Sequence, residues 1–183
     1  MAAQNVKKRE VKKSFFDVKA PMTSAKISLY ASSEQEIVGK VVTLDLTKSL
    51  RGKAFEMKLK VEMVDNELVA EPVSLWLSGS YIRRMVRKGT DYVEDSFVAS
   101  CKDADVIIKP FLITRNKVSR AVRHALRKTA RDYVEKYLTT RTSKELFSEI
   151  TANKLQKELS LKLKKVYPLA LCEIRVFEIK NKR

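Results

Sequence analysis

Residues 114–137, reading TRNKVSRAVRHALRKTARDYVEKY, constrain the fold more than any other stretch. Between Arg115 and Arg131 stand seven basic side chains (Arg115, Lys117, Arg120, Arg123, Arg127, Lys128 and Arg131) and no acidic one. Wound as an α-helix, Arg120, Arg123, Arg127 and Arg131 fall along one face, and Val118, Val122, Ala125, Leu126 and Tyr133 fall on the other. A segment divided in this way needs a protein core behind it and something strongly negative in front of it. Arginine's planar fork engages phosphate oxygens two at a time, whereas lysine acts as a point charge. A solvated basic face is the ordinary alternative. Here, however, no carboxylate at i±3 or i±4 is expected to relieve the repulsion along the row, which favours a polyanion partner.

The totals narrow that partner. With 183 residues, of which 44% are apolar, the chain suits one domain with a sizeable core. It carries 38 Lys and Arg against 22 Asp and Glu, a net +16, which points to nucleic acid or an anionic membrane surface. No run of apolar residues is long enough to span a bilayer, and the N-terminal residues lack the apolar core of a secretory signal. Neither a myristoylation glycine nor a prenylation cysteine is present. The basic helix opposes its arginines with Val, Ala and Leu rather than the Trp or Phe of an interfacial helix. Nucleic acid is therefore the expected partner, with no membrane. Cys101 and Cys172 are 71 residues apart and make no CxxC pair, so both read as small buried hydrophobes in a reducing compartment.

Residues 1–13 form a basic arm, with Lys7, Lys8, Arg9, Lys12 and Lys13 against Glu10 alone. Phe15 and Phe16 follow, shortly before Lys19 and Pro21. Two roles stand open for this pair, stacking on unpaired bases or anchoring the first ordered residues to the domain. Period-two patterning then predicts strands at 26–31, 38–46, 54–64 and 68–77. The clearest alternates Phe55, Met57, Leu59, Val61 and Met63 with Glu56, Lys58, Lys60 and Glu62. Asp65-Asn66 reads as a two-residue hairpin turn, and Trp76 as core. Ser78 opens a short helix over 81–88, where Arg83, Arg84, Arg87 and Lys88 form a second basic face ended by Gly89. Residues 93–101 and 106–114 read as an antiparallel pair, with Pro110 marking an edge or a bulge. After the arginine-rich helix, Thr142-Ser-Lys-Glu145 is a capping box. A lysine-rich helix over 152–166 carries Leu155, Leu159, Leu161 and Leu163, and Tyr167-Pro168 stops it before a last strand at 170–180.

No catalytic constellation emerges, and no cofactor or metal is expected. None of the four glycines lies in a phosphate-cradling loop. A nucleophile would have to pair with His124, which is set among guanidinium groups; stacking on RNA or an idle surface position suits it better. Asp103/Asp105 and Asp91/Glu94/Asp95 read as solvated turns rather than metal ligands.

Five stretches in order carry a resemblance: Lys12-Lys-Ser-Phe-Phe-Asp-Val-Lys-Ala-Pro21, Ile37-Val-Gly-Lys-Val-Val-Thr-Leu-Asp-Leu46, Ser80-Tyr-Ile-Arg-Arg-Met-Val-Arg-Lys88, the arginine-rich 115–131 segment, and Val166-Tyr-Pro-Leu169. Together they resemble the eukaryotic-type S-one (S-three-A) family of small-subunit ribosomal proteins, shared by archaea and eukaryotes, over roughly residues 11–181. Phe15 stands where that family usually has Trp, and the 47–53 connection departs from its usual wording. The resemblance implies an α+β fold, with a mixed, largely antiparallel, barrel-like sheet flanked by helices. It also implies a place on the small-subunit platform near the messenger exit. The partners would be small-subunit rRNA, neighbouring ribosomal proteins and messenger near the exit; the location would be the cytoplasmic ribosome, with nucleolar assembly in a eukaryote. The expected protein is a non-enzymatic rRNA binder, with an arm at 1–13 and one α+β domain at 14–183. Its RNA contacts are expected from the arm, Phe15, Phe16, Lys19, Arg83, Arg84, Arg87, Lys88, and the basic residues of 115–131 with His124. The rival reading is a basic protein-interaction module that docks acidic partners, with RNA binding incidental.

Overall fold

The structure is a computed structural model that describes residues 12–23, 25–50 and 52–182. In chain order the elements are β1 (Ser14–Val18), β2 (Ile27–Ala31), α1 (Glu34–Ile37), β3 (Val41–Asp45), β4 (Phe55–Val64), β5 (Glu67–Leu77), α2 (Gly79–Met85), β6 (Tyr92–Glu94), β7 (Phe97–Ser100), β8 (Ala104–Thr114), α3 (Arg120–Leu138), α4 (Ser143–Thr151), α5 (Lys154–Leu163) and β9 (Leu169–Lys182). The fold is α+β, with β1 and β2 forming one sheet and the other strands a second. Hydrogen bonding orders the second sheet β3-β4-β5-β9-β8-β6, with β7 also on β8. This order ends at β3 and at β6, so the barrel-like closure implied by the resemblance is not formed among the described residues.

By compactness the chain divides into two units, Met1–Val42 with Lys60–Glu71, and Thr43–Leu59 with Pro72–Arg183. In the first, β1 and β2 pair antiparallel, Phe16 opposite Leu29. Gly39 adopts φ +85, a conformation glycine reaches without a steric penalty, so the strand expected from residue 38 starts only at Val41. Asp65 and Asn66 take φ 50 and 60, the left-handed pair a tight hairpin turn requires, as their side chains foretold.

In the second unit, Phe55, Met57 and Leu59 are buried along one face of β4, as the alternation predicted. Trp76 is not core. Its ring is half-buried, donates from Nε1 to Glu56 at 2.7 Å and has the Lys58 ammonium 4.5 Å from its centroid, an amphipathic side chain keeping its polar edge supplied. Pro110 lies not at an edge but inside β8, which pairs with β9 on one flank and with β6 and β7 on the other. On the β9 flank the register shifts between Lys109 and Pro110; on the other flank Pro110 faces the break between β6 and β7. The missing N–H thus falls where no regular ladder needs it.

Helices α3, α4 and α5 supply the rest of this core. Leu126, Ala130, Val134 and Leu138 of α3 are buried, with Leu146, Phe147 and Ile150 of α4 and Leu155, Leu159 and Leu163 of α5. Phe147 meets Phe177 of β9 edge-on, with centroids 4.8 Å apart. Each such large apolar side chain contributes about 1.5–3 kcal/mol of transfer free energy. The buried stripe of α3 therefore recurs every fourth residue. Of the face expected from sequence only Leu126 is fully buried; Val122 and Tyr133 are half-buried and Ala125 is exposed. Leu161 is also exposed, at 68%, because it lies off the 155/159/163 row. The capping box at Thr142 closes in both directions, with Glu145 N–H donating to the Thr142 hydroxyl and Thr142 N–H to the Glu145 carboxylate.

Candidate nucleic-acid interface

The start of α3 is fixed by a residue far away in sequence. Asp91 Oδ2 accepts from Val118 N–H at 3.0 Å, and the Asp91 carbonyl accepts from Thr114 N–H at 2.9 Å. The Thr114 hydroxyl accepts from Asp91 N–H at 3.1 Å and lies 2.7 Å from the Asn116 carbonyl. Ser119 then caps the helix, accepting from Val122 N–H at 3.4 Å. Asp91 is thus a positioning residue and not the solvated turn expected of it. Only its acidity was visible in the sequence, since its partner is 27 positions away. Arg115 and Lys117 lie in this tethered loop, before the helix rather than on it, and both are exposed.

From this anchored start, Arg120, Arg123, His124, Arg127 and Lys128 project as exposed side chains. Among the described residues, none of Arg120, Arg123 and Arg127 makes an ion pair with a carboxylate. Arg120, Arg123, His124 and Arg127 line one cavity with Tyr92 and Val93. Arg127 also borders a second cavity, of about 530 Å³, that includes Glu94 and Asp95. The Glu94 carboxylate is held there by Arg175 at 2.7 Å.

The expected row breaks at Arg131. Its Nε donates to Glu135 at 2.9 Å, one turn on, and its guanidinium lies 5.2 Å from the Phe97 ring centroid. That hydrogen bond pushes the Arg131 pKa further up. The relief thought absent from the row is therefore supplied from just beyond its end. Below this point the helix faces its own fold: the Tyr133 hydroxyl donates to Glu158 at 2.8 Å, and the Tyr137 hydroxyl to Glu149 at 2.9 Å. Burial first, and then the Glu158 contact, push the Tyr133 phenol up to about 12. Glu149 also accepts from Arg141.

The second basic group differs from its expectation. The helix α2 ends at Met85, so Arg83 and Arg84 are helical, whereas Arg87 and Lys88 belong to the following turn. All four are exposed, and Arg84 stacks over Tyr81 at 5.7 Å. Gly89, at φ +86, lies in the turn beyond the helix and does not end it as expected. In the other unit, Lys12 and Lys13 are exposed and the Lys13 ammonium lies 6.0 Å from the Tyr30 ring centroid. Phe15 is 73% exposed, 5.0 Å from Tyr30, while Phe16 is half-buried; the pair thus divides between an outward and an inward ring. Lys19 is already paired with Glu67 at 2.6 Å. Lys7, Lys8 and Arg9 lie outside the described residues.

Cys101 and Cys172 are free and buried, as small buried hydrophobes would be, and burial raises their thiols to about 11 and about 12. Asp103, also expected in a solvated turn, accepts from the Ser143 N–H at 2.8 Å and from its hydroxyl at 2.6 Å, which holds its carboxyl low even against burial. Among the described residues no group of three or more His, Cys, Asp and Glu side chains is arranged to hold a metal, and no helix is long and apolar enough to cross a membrane.

An α+β core that holds a helix by its apolar stripe and leaves guanidinium groups without internal partners defines a protein built around a basic face. Its lineage is specific: the chain belongs to the ribosomal S3Ae family, whose model matches residues 2–182. It is similar to the small ribosomal subunit protein eS1 of Nanoarchaeum equitans, with 25% identity over 91% of this chain and 88% of that one. The eS1 protein of Halorubrum lacusprofundi is 25% identical over 96% of this chain and 85% of its own. That of Saccharolobus islandicus is 27% identical over 88% and 82%.

Proposed function

We propose that this chain is a structural constituent of the small ribosomal subunit that fastens rRNA on the platform, near the messenger exit, without catalysing a reaction. The carrying observation is the set Arg120, Arg123 and Arg127, exposed, lacking carboxylate partners among the described residues, and mounted on a helix whose other side is buried. A buried stripe and an Asp91 tether keep the guanidinium groups from collapsing onto the protein, so little order is lost when phosphates arrive. Arg115, Lys117, Lys128, Arg83, Arg84, Arg87 and Lys88, with the arm over 1–13, extend the same electrostatic role. Phe15 offers a ring for unpaired bases, and neighbouring proteins or messenger would meet the remaining surface, with Leu161 on the lysine-rich helix as an apolar contact.

Folded RNA offers phosphate and shape more readily than base edges, so affinity rather than sequence preference is the expected product. With about eight phosphates neutralised, RNA affinity should fall by orders of magnitude over a few-fold rise in salt. Titration of the purified chain with small-subunit rRNA fragments at several salt concentrations measures this. An affinity flat in salt overturns the reading, and nuclease footprints on the subunit that lack protection by this chain favour the acidic-partner alternative.

A further inference from the structure

Tyr92 played no part in the sequence reading, yet it stands beside the arginine row. It begins β6, an end strand of its sheet, and is 56% exposed. One side of the ring is backed by buried Phe111, with centroids 6.0 Å apart at 34°. The cavity next to it, about 250 Å³, is lined by Tyr92, Val93, Arg120, Arg123, His124 and Arg127. The four helical residues are spaced i, i+3, i+4 and i+7 and so share one face of α3. None of the lining residues is acidic.

An anion alone would be served by the arginines, with no need of an aromatic ring. A paired RNA helix would find little use for that ring either, because its bases are stacked inside and it presents phosphate and ribose. An exposed ring set among guanidinium forks fits a nucleotide that has left the stack, whose base lies on the ring while its phosphate is gripped beside it. We propose that this cavity holds a single unstacked nucleotide of bound RNA, its base against Tyr92 and its phosphate on Arg120 and Arg123. Arg127 serves less, because it also borders the cavity containing Glu94 and Asp95. This proposal rests on the RNA-binding reading and adds to it a preference for bulged or looped RNA.

The test compares two labelled RNA hairpins of equal length and phosphate number, one fully paired and one with a single bulged nucleotide. Both are titrated with the full chain and with Tyr92→Ala and Tyr92→Phe. The unaltered chain should bind the bulged hairpin about tenfold more tightly than the paired one. Tyr92→Phe should keep that preference, and Tyr92→Ala should lose it while binding the paired hairpin as before. Photo-crosslinking from the bulged base, read by mass spectrometry in the unaltered chain, should yield Tyr92, which keeps the test decisive if Tyr92→Ala fails to fold. Equal binding of both hairpins, or a crosslink elsewhere, overturns the nucleotide pocket and leaves the RNA-binding reading standing. Failure of both hairpins to bind at low salt overturns both.

Discussion

The two halves of α3 differ in sequence and in role: 120–128 carries no acidic residue, whereas 131–138 carries Asp132 and Glu135. From Arg120 to Lys128 the basic side chains face outward, and among the described residues their arginines have no carboxylate partner. From Arg131 to Leu138 the polar groups turn onto the protein: Arg131 to Glu135, Tyr133 to Glu158, Tyr137 to Glu149. What separates them is partly the helix's own Glu135 and partly the surroundings. The second half packs among α4 and α5, which carry Glu149 and Glu158, whereas the first half adjoins β6, where Glu94 is already engaged by Arg175. An arginine's count in the sequence therefore says less than whether a carboxylate comes within reach, from one turn on in the same helix for Arg131 or from a packed neighbour for Arg141. The first half keeps its repulsion and the second resolves it internally.

Breaking the inward half should have the largest effect on stability. Glu149→Ala removes the acceptor of Tyr137 and Arg141 from a buried position and should cost roughly 1–3 kcal/mol, seen as a lower denaturation midpoint, with the salt dependence of RNA binding unchanged. A change in RNA affinity without a change in stability would erase the distinction between the halves. The outward half should respond in the reverse sense. Replacing Arg120, Arg123 and Arg127 together by Gln should leave stability within about 0.5 kcal/mol. The same triple change should lower the magnitude of the salt slope of RNA binding by about 2–3. Should that variant unfold, the row is part of the scaffold. Arg131→Ala should do least, barely moving the denaturation midpoint as an exposed i,i+4 pair is lost and changing the salt slope by less than any single member of the outward row.

Much of the fold was legible because its signals are local. Alternation along Phe55–Val64, the left-handed turn at Asp65-Asn66 and the capping box at Thr142 depend on residues within a few positions of one another. The failures share another cause. Trp76, which reads as core from sequence, stays half-exposed while Leu75 and Leu77 are buried, because Glu56 and Lys58 supply its ring. For Pro110 the sequence left an edge or a bulge open, and the tertiary pairing decides for the bulge, with the register shifting between Lys109 and Pro110 on the β9 flank. Asp91 and Tyr92 gave no local sign of guarding the arginine helix.

The sequence by itself determined that this is a basic α+β chain with an arginine-rich helix, and its motifs pointed to the family to which it belongs. Charge, periodicity and capping act over a few residues, so a linear reading captures them. Only the tertiary structure decided which arginines stay without a partner, which face of α3 is buried, and that an exposed tyrosine stands beside the row. Apart from the Arg131–Glu135 pair, one turn apart on the same helix, those outcomes depend on groups brought close from distant positions, and electrostatic attraction and packing act through space rather than along the chain.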